Sequence, residues 1–121
     1  MFVNKLGRCE EFTAGDDTIL RELLHPDKEN LDIRYSLAHA TIKPGKQSYK
    51  HKLRTSEVYY ILEGSGLMHI AEESMQVVAG DAVYIPPGEV QFIENNGNRE
   101  LRFICIVDPA WRQKDEQVFK P

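Results

Sequence analysis

From Leu31 onward, apolar residues recur in short runs, several of them alternating with polar ones, and each run is bounded by turn residues. A period of two is what a strand with one buried face requires, because successive side chains point to opposite sides of the sheet. The predicted strands are Ile33 to Ile42, Glu57 to Leu62, Leu67 to Ala71, Met75 to Val78, Ala82 to Ile85, Val90 to Glu94 and Leu101 to Val107. Between them lie Pro44-Gly45, Gly64-Ser65-Gly66, Glu72-Glu73-Ser74, Gly80-Asp81, Pro86-Pro87-Gly88 and Asn95-Asn96-Gly97-Asn98, residues that permit positive φ or bond to their own backbone. Strands this short and evenly spaced predict an all-β sandwich or barrel. No helix of ordinary length interrupts them, which excludes a parallel βαβ sheet.

The first 30 residues have a different texture. Asp16 and Asp17 precede a stretch in which Ile19, Leu20, Leu23 and Leu24 share one stripe at helical spacing, and Pro26 ends it. A short N-terminal helix is expected there. The chain thus divides into residues 1–30, a segment packing on the barrel or on a partner, and residues 31–121, the barrel with its C-terminal tail. Along the strand that starts at Glu57, alternation sets Glu57, Tyr59 and Ile61 against Val58, Tyr60 and Leu62. Both sets are largely apolar, so the outer one needs a cover. The N-terminal segment or a second subunit is the candidate cover, and a homodimer is expected.

Composition narrows the class further. A chain of 121 residues suits one core, and 41% hydrophobic with 28% charged residues is ordinary for a globular domain. The longest apolar run, Phe103 to Val107, is far below the roughly 20 residues of a membrane helix, and the N-terminus has no apolar signal core. A cytoplasmic protein with no membrane partner is expected. With net charge -4 and only scattered basic residues, the chain lacks the one-sided positive field that attracts nucleic acid. Cys9 and Cys105 have no CxxC spacing and read as free thiols.

Two spacings are more specific. Gly45, His51, Glu57 and Gly64 are separated by five, five and six residues, and Gly80, Pro86, Gly88, Gln91 and Asn95 by five, one, two and three. These intervals resemble the paired signatures of the cupin superfamily, and the resemblance runs from Gly45 to Asn95. It implies a small single-domain cupin, a double-stranded β-helix of jelly-roll type. It also implies a metal held by three imidazoles and one carboxylate inside the barrel.

This sequence keeps two of those four ligands, His51 and Glu57. Leu53 stands at the second imidazole position and offers no lone pair, and Gln91 at the third offers only a neutral amide oxygen. Mn, Fe, Ni or Zn bound by His51, Glu57 and Gln91 would be held weakly unless another residue joined them. His39, on the preceding strand beside Leu37 and Thr41, is the candidate fourth ligand.

Alternation also turns Cys105 inward with Leu101, Phe103 and Val107, chiefly as an apolar filler. His51, Glu57, Gln91, Cys105 and either Tyr59 or Tyr49 would then line a small-molecule pocket. His69 reads as a surface or interface imidazole, His25 as solvent-exposed, and Trp111 as a cap over an apolar patch.

Three functions are open. One is a metal-dependent cupin enzyme of the oxygenase or sugar-phosphate isomerase type, which Leu53 and Gln91 weaken. Another is a binding protein for a small polar molecule with weak metal binding or none, the reading preferred. The last is a metal-free isomerase or epimerase with His51 or Glu57 as catalytic base.

Overall fold

The computed structural model describes residues 1–121. Eleven strands form two antiparallel sheets. In chain order they are β1 (Glu11–Thr13), β2 (Ile19–Leu24), β3 (Ser36–Ile42), β4 (Lys50–Leu53), β5 (Ser56–Glu63), β6 (Ser65–Ile70), β7 (Glu73–Val78), β8 (Ala82–Ile85), β9 (Gln91–Glu94), β10 (Leu101–Asp108) and β11 (Glu116–Phe119). The six-stranded sheet has the order β1-β2-β3-β10-β5-β8, and the five-stranded sheet β11-β4-β9-β6-β7. Two single 3-10 turns, Leu6–Arg8 and Gln113–Asp115, are the only helical elements.

The expected N-terminal helix is therefore absent, and residues 19–24 form a strand. A six-residue apolar run fits either period, and the preceding turn decides between them. Asp16 Oδ1 accepts hydrogen bonds from the backbone N–H of Thr18 at 3.2 Å and from its hydroxyl at 2.6 Å, while Asp17 adopts φ 72°. That geometry closes a hairpin rather than capping a helix. Strand β2 then pairs with β3, from Ile19 opposite Thr41 to Leu24 opposite Leu37. The N-terminal segment extends the sheet in its own plane and leaves the outer face uncovered.

The tail likewise contributes a strand, β11, which pairs with β4 from Glu116 opposite Leu53 to Phe119 opposite Lys50. No run of residues 50–53 or 116–119 is apolar enough to announce either strand. Their pairing partners make them strands.

The inner faces of the two sheets meet in a core of Ala40, Ile42, Tyr59, Ile61, Met68, Val77, Ile85, Ile93, Leu101, Phe103 and Cys105, all buried. Alternation is kept throughout β10: Leu101, Phe103, Cys105 and Val107 are buried and the residues between them are not. Gly64 has φ 82°, and a Cβ there would lie 2.6 Å from the Glu100 carbonyl oxygen. At Gly66 φ is not positive; a Cβ would meet the Glu94 carbonyl oxygen at 2.8 Å, so the neighbouring strand excludes a side chain. Asn95 is buried and ties the adjoining loop together, donating to the carbonyls of Ile42 and Arg99 and accepting from Gly97 N–H.

Candidate functional site

The two sheets part at one end of the barrel around a cavity of about 260 Å³. The six-stranded sheet supplies its deeper wall. Register sets Glu57 beside Val107, and Tyr59 beside Cys105, in adjacent rows of β5 and β10. Ala38 stands opposite Cys105 on β3 and extends the wall. Across the cavity, His51 projects from β4, and Glu116 projects from β11 on the same face as Leu53. The β1–β2 turn brings Asp16 to the mouth, and Trp111 closes one side.

His51 is 2% exposed, and its ring is oriented from behind. Its Nδ1 lies 2.7 Å from the Tyr49 carbonyl, which can only accept, so Nδ1 carries the proton. Nε2 therefore turns toward the cavity, where Asp16 Oδ2 is 3.4 Å away. The Tyr49 N–H bonds the Asp16 carbonyl at 2.8 Å, so the backbone of one residue, Tyr49, helps to place both Asp16 and His51. The Tyr49 ring itself does not line the cavity.

Opposite, three buried residues form a chain. The Tyr59 hydroxyl donates to Gln91 Oε1 at 3.0 Å, and Gln91 Nε2 donates to Glu57 Oε1 at 2.8 Å. Burial pushes the Glu57 carboxyl up to about 8; the Gln91 hydrogen bond opposes this and the nearby Asp16 and Glu116 charges add to it. Glu57 thus holds its proton at neutral pH. Burial, followed by the charge of Glu57, also raises Tyr59 and Cys105 well above their usual ranges, so both stay protonated. Glu116 is shifted up as well, by desolvation and by Asp16, with His51 and Trp111 acting the other way.

Of the residues expected at the site, His51, Glu57, Tyr59 and Cys105 line the cavity together, with Gln91 directly behind Glu57. His39 does not join them. Its strand alternates so that Ser36, Ala38, Ala40 and Ile42 face inward, and His39 lies on the opposite face among Arg21, Arg102 and Glu63. Burial and the two arginines lower its pKa. His69 is likewise on an outer face, stacked on Phe92 and bonded to Glu94 at 2.6 Å and Ser74 at 2.7 Å. His25, expected to be exposed, is buried: its Nδ1 accepts from Asp27 N–H and its Nε2 reaches the Trp111 carbonyl at 2.7 Å.

Asp16, Glu22 and Glu116 were not legible as site residues. Each comes from outside the spaced motif, through a turn or strand that only the tertiary pairing reveals. Glu22 enters from β2 and is neutralised by Lys28 at 2.7 Å.

The family model described as Cupin domain matches residues 38–107, more than half of the chain. The chain belongs to the cupin family. An uncharacterised protein of Methanocaldococcus jannaschii is 39% identical over 114 residues, covering 93% of this cupin and 90% of the relative. The oxalate-binding protein of Thermotoga maritima is 35% identical over 71 residues, which span 58% of this chain and 59% of that one. Among solved structures, a polyketide cyclase from Streptomyces resistomycificus superimposes with TM-score 0.82 at 20% identity, covering all of this chain and 87% of the other, and shares the fold.

Cupins often bind metals, and the donors of this cavity do not compose that site. Leu53 is buried with no lone pair to offer, and both ends of the Gln91 amide are committed to Tyr59 and Glu57. No group of three or more His, Cys, Asp or Glu side chains converges closely enough to hold one ion.

Proposed function

We propose that this cupin binds a small organic molecule with an apolar body and a polar end in the barrel cavity, without a resident metal. The carrying observation is the chain from Tyr59 through Gln91 to Glu57. It occupies the position of the third imidazole and satisfies buried polar groups that a metal would otherwise organise. The neighbouring His51 Nε2 remains turned to an open cavity. At about 260 Å³ the space lies just below the usual range of drug-sized ligand sites, roughly 300 to 1,000 Å³, and so suits a small molecule.

The test is elemental analysis of protein purified from metal-supplemented medium, with melting scans in Mn, Fe, Ni and Zn. The expected result is sub-stoichiometric metal and no change in Tm. A stoichiometric metal that raises Tm, because it binds only the folded state, would overturn the reading.

A second reading is favoured by one observation, the proton that Glu57 retains at neutral pH. A protonated carboxyl and an imidazole on facing walls of one cavity can serve as acid and base for an isomerase or epimerase. Loss of turnover in Glu57→Gln with unchanged folding would support it.

The proposal extends to self-association. The outer face of the six-stranded sheet presents Tyr60, Leu62 and Tyr84, at 45%, 40% and 62% exposure, with nothing in the chain covering them. A homodimer through this face is the expected assembly, and analytical ultracentrifugation of the Tyr60→Lys variant tests it.

A further inference from the structure

The polar groups that stand nearest His51 in the cavity, Asp16 and Glu116, are both carboxyl groups. With Nδ1–H committed to the Tyr49 carbonyl, His51 turns its other ring nitrogen, Nε2, into the cavity, and its neighbour there is an acceptor, Asp16 Oδ2, at 3.4 Å. Two acceptors at that distance need a proton or a donor between them. The ring is almost completely buried, so bulk water is a poor source of that donor. Glu116 lies on the same side, close enough that Asp16 and His51 both shift its titration. The only lysine of the lining, Lys28, is already paired with Glu22.

A metal ion is the wrong occupant for this arrangement, because its donors must converge within roughly 2.0 to 2.6 Å of one point. Here the acceptors are spread around the mouth and no three of them converge. Spread acceptors suit a polyatomic cation with several N–H donors. The remaining walls suit its body: Tyr59, Phe103 and Trp111 offer aromatic faces, on which a cation is also stabilised.

We infer that the cavity selects a small organic ammonium compound, an amine on a compact apolar body, and rejects carboxylates. This rests on the binding reading above and names the ligand class for the same site. The ammonium group donates to His51 Nε2 and Asp16 with the Glu116 carboxyl near them, and the apolar body lies toward Tyr59 and Phe103. A dicarboxylate such as oxalate, the ligand named for the Thermotoga relative, would meet like charges with no free cation to receive it.

The experiment compares benzylamine, benzyl alcohol and benzoate, three probes of one shape carrying positive, zero and negative charge near neutral pH, with oxalate as a fourth. Trp111 is the sole tryptophan and lines the cavity, so its fluorescence reports occupancy directly, and calorimetry gives the affinity. Benzylamine should bind about tenfold or more tighter than benzyl alcohol, with benzoate and oxalate weaker still. Glu116→Gln and Asp16→Asn should each weaken benzylamine several-fold and weaken benzyl alcohol by a clearly smaller factor, since only the amine loses a charge partner. Glu116→Gln is the safer variant, since Asp16 also closes the β1–β2 turn.

If benzyl alcohol or benzoate binds as tightly as benzylamine, the cation assignment fails and the binding reading survives. If none of the four perturbs Trp111 or releases heat, both fail together.

Discussion

The side-chain amide of Gln91 donates to Glu57 across 2.8 Å, with Gln91 fully enclosed and Glu57 buried at the cavity wall. Its oxygen is taken by the Tyr59 hydroxyl at 3.0 Å, so a single glutamine holds both a neutral acid and a phenol in place. An imidazole at this position would aim one nitrogen at a metal. The amide spends both ends on protein partners.

The first prediction concerns this chain. Gln91→Ala leaves the Glu57 carboxyl and the Tyr59 hydroxyl buried and unpaired, each at a cost of about 1 to 3 kcal/mol. Urea unfolding should show a loss of roughly 2 to 5 kcal/mol with an unchanged slope. A loss below about 0.5 kcal/mol would mean that water replaces the amide without penalty.

The second concerns pH. The folded state holds the Glu57 proton up to about 8 against the ordinary 4.5, so it binds a proton that the unfolded chain has already released. The associated stability is complete below pH 4.5 and is lost as pH rises through 8, on the order of 5 kcal/mol at most. Glu57→Gln should flatten the stability profile between pH 5 and 8.5 and exceed the parent protein at the alkaline end. Parallel profiles for the two proteins would contradict the assigned cause.

Restoring the two missing imidazoles is the third test. Leu53→His with Gln91→His should create micromolar or tighter affinity for Ni or Zn, seen as a metal-dependent rise in Tm, because both positions face inward beside His51. A folded double variant indifferent to metal would show that these positions do not converge.

The fourth addresses the wall that carries Trp111. Arg112 bonds Asp27 through two parallel contacts of 2.9 Å, and His25 holds the Trp111 carbonyl. The Arg112 pair is solvent-exposed and screened, so Asp27→Asn should leave global stability nearly unchanged. Quenching of Trp111 by acrylamide should nevertheless increase as the segment loosens. Unchanged quenching would remove the pair from any role in shaping the cavity.

Finally, Gly64→Ala places a methyl group 2.6 Å from the Glu100 carbonyl oxygen at φ 82°. A loss of about 2 kcal/mol or more is expected in thermal or denaturant unfolding.

The barrel was legible because its determinants are local. Alternation in β5 and β10 and the turns at Gly64, Gly80 and Gly88 each follow from a few consecutive residues. The inward set of Glu57, Tyr59 and Cys105 follows from the same period, and the spaced motif marked His51, Leu53 and Gln91 as neighbours. What the chain alone left open was everything set by pairing between distant segments. Residues 19–24 have an apolar stripe that suits a helix, and the Asp16 turn together with the waiting edge of β3 makes them a strand. β11 becomes a strand because β4 offers it an edge. Those two additions bring Asp16 and Glu116 against His51, and so decide the charge of the cavity. His39 faced away for a reason of phase: on β3 the inward set is Ser36, Ala38, Ala40 and Ile42. Periodicity says which residues share a face, and only packing against the second sheet says which face is inside.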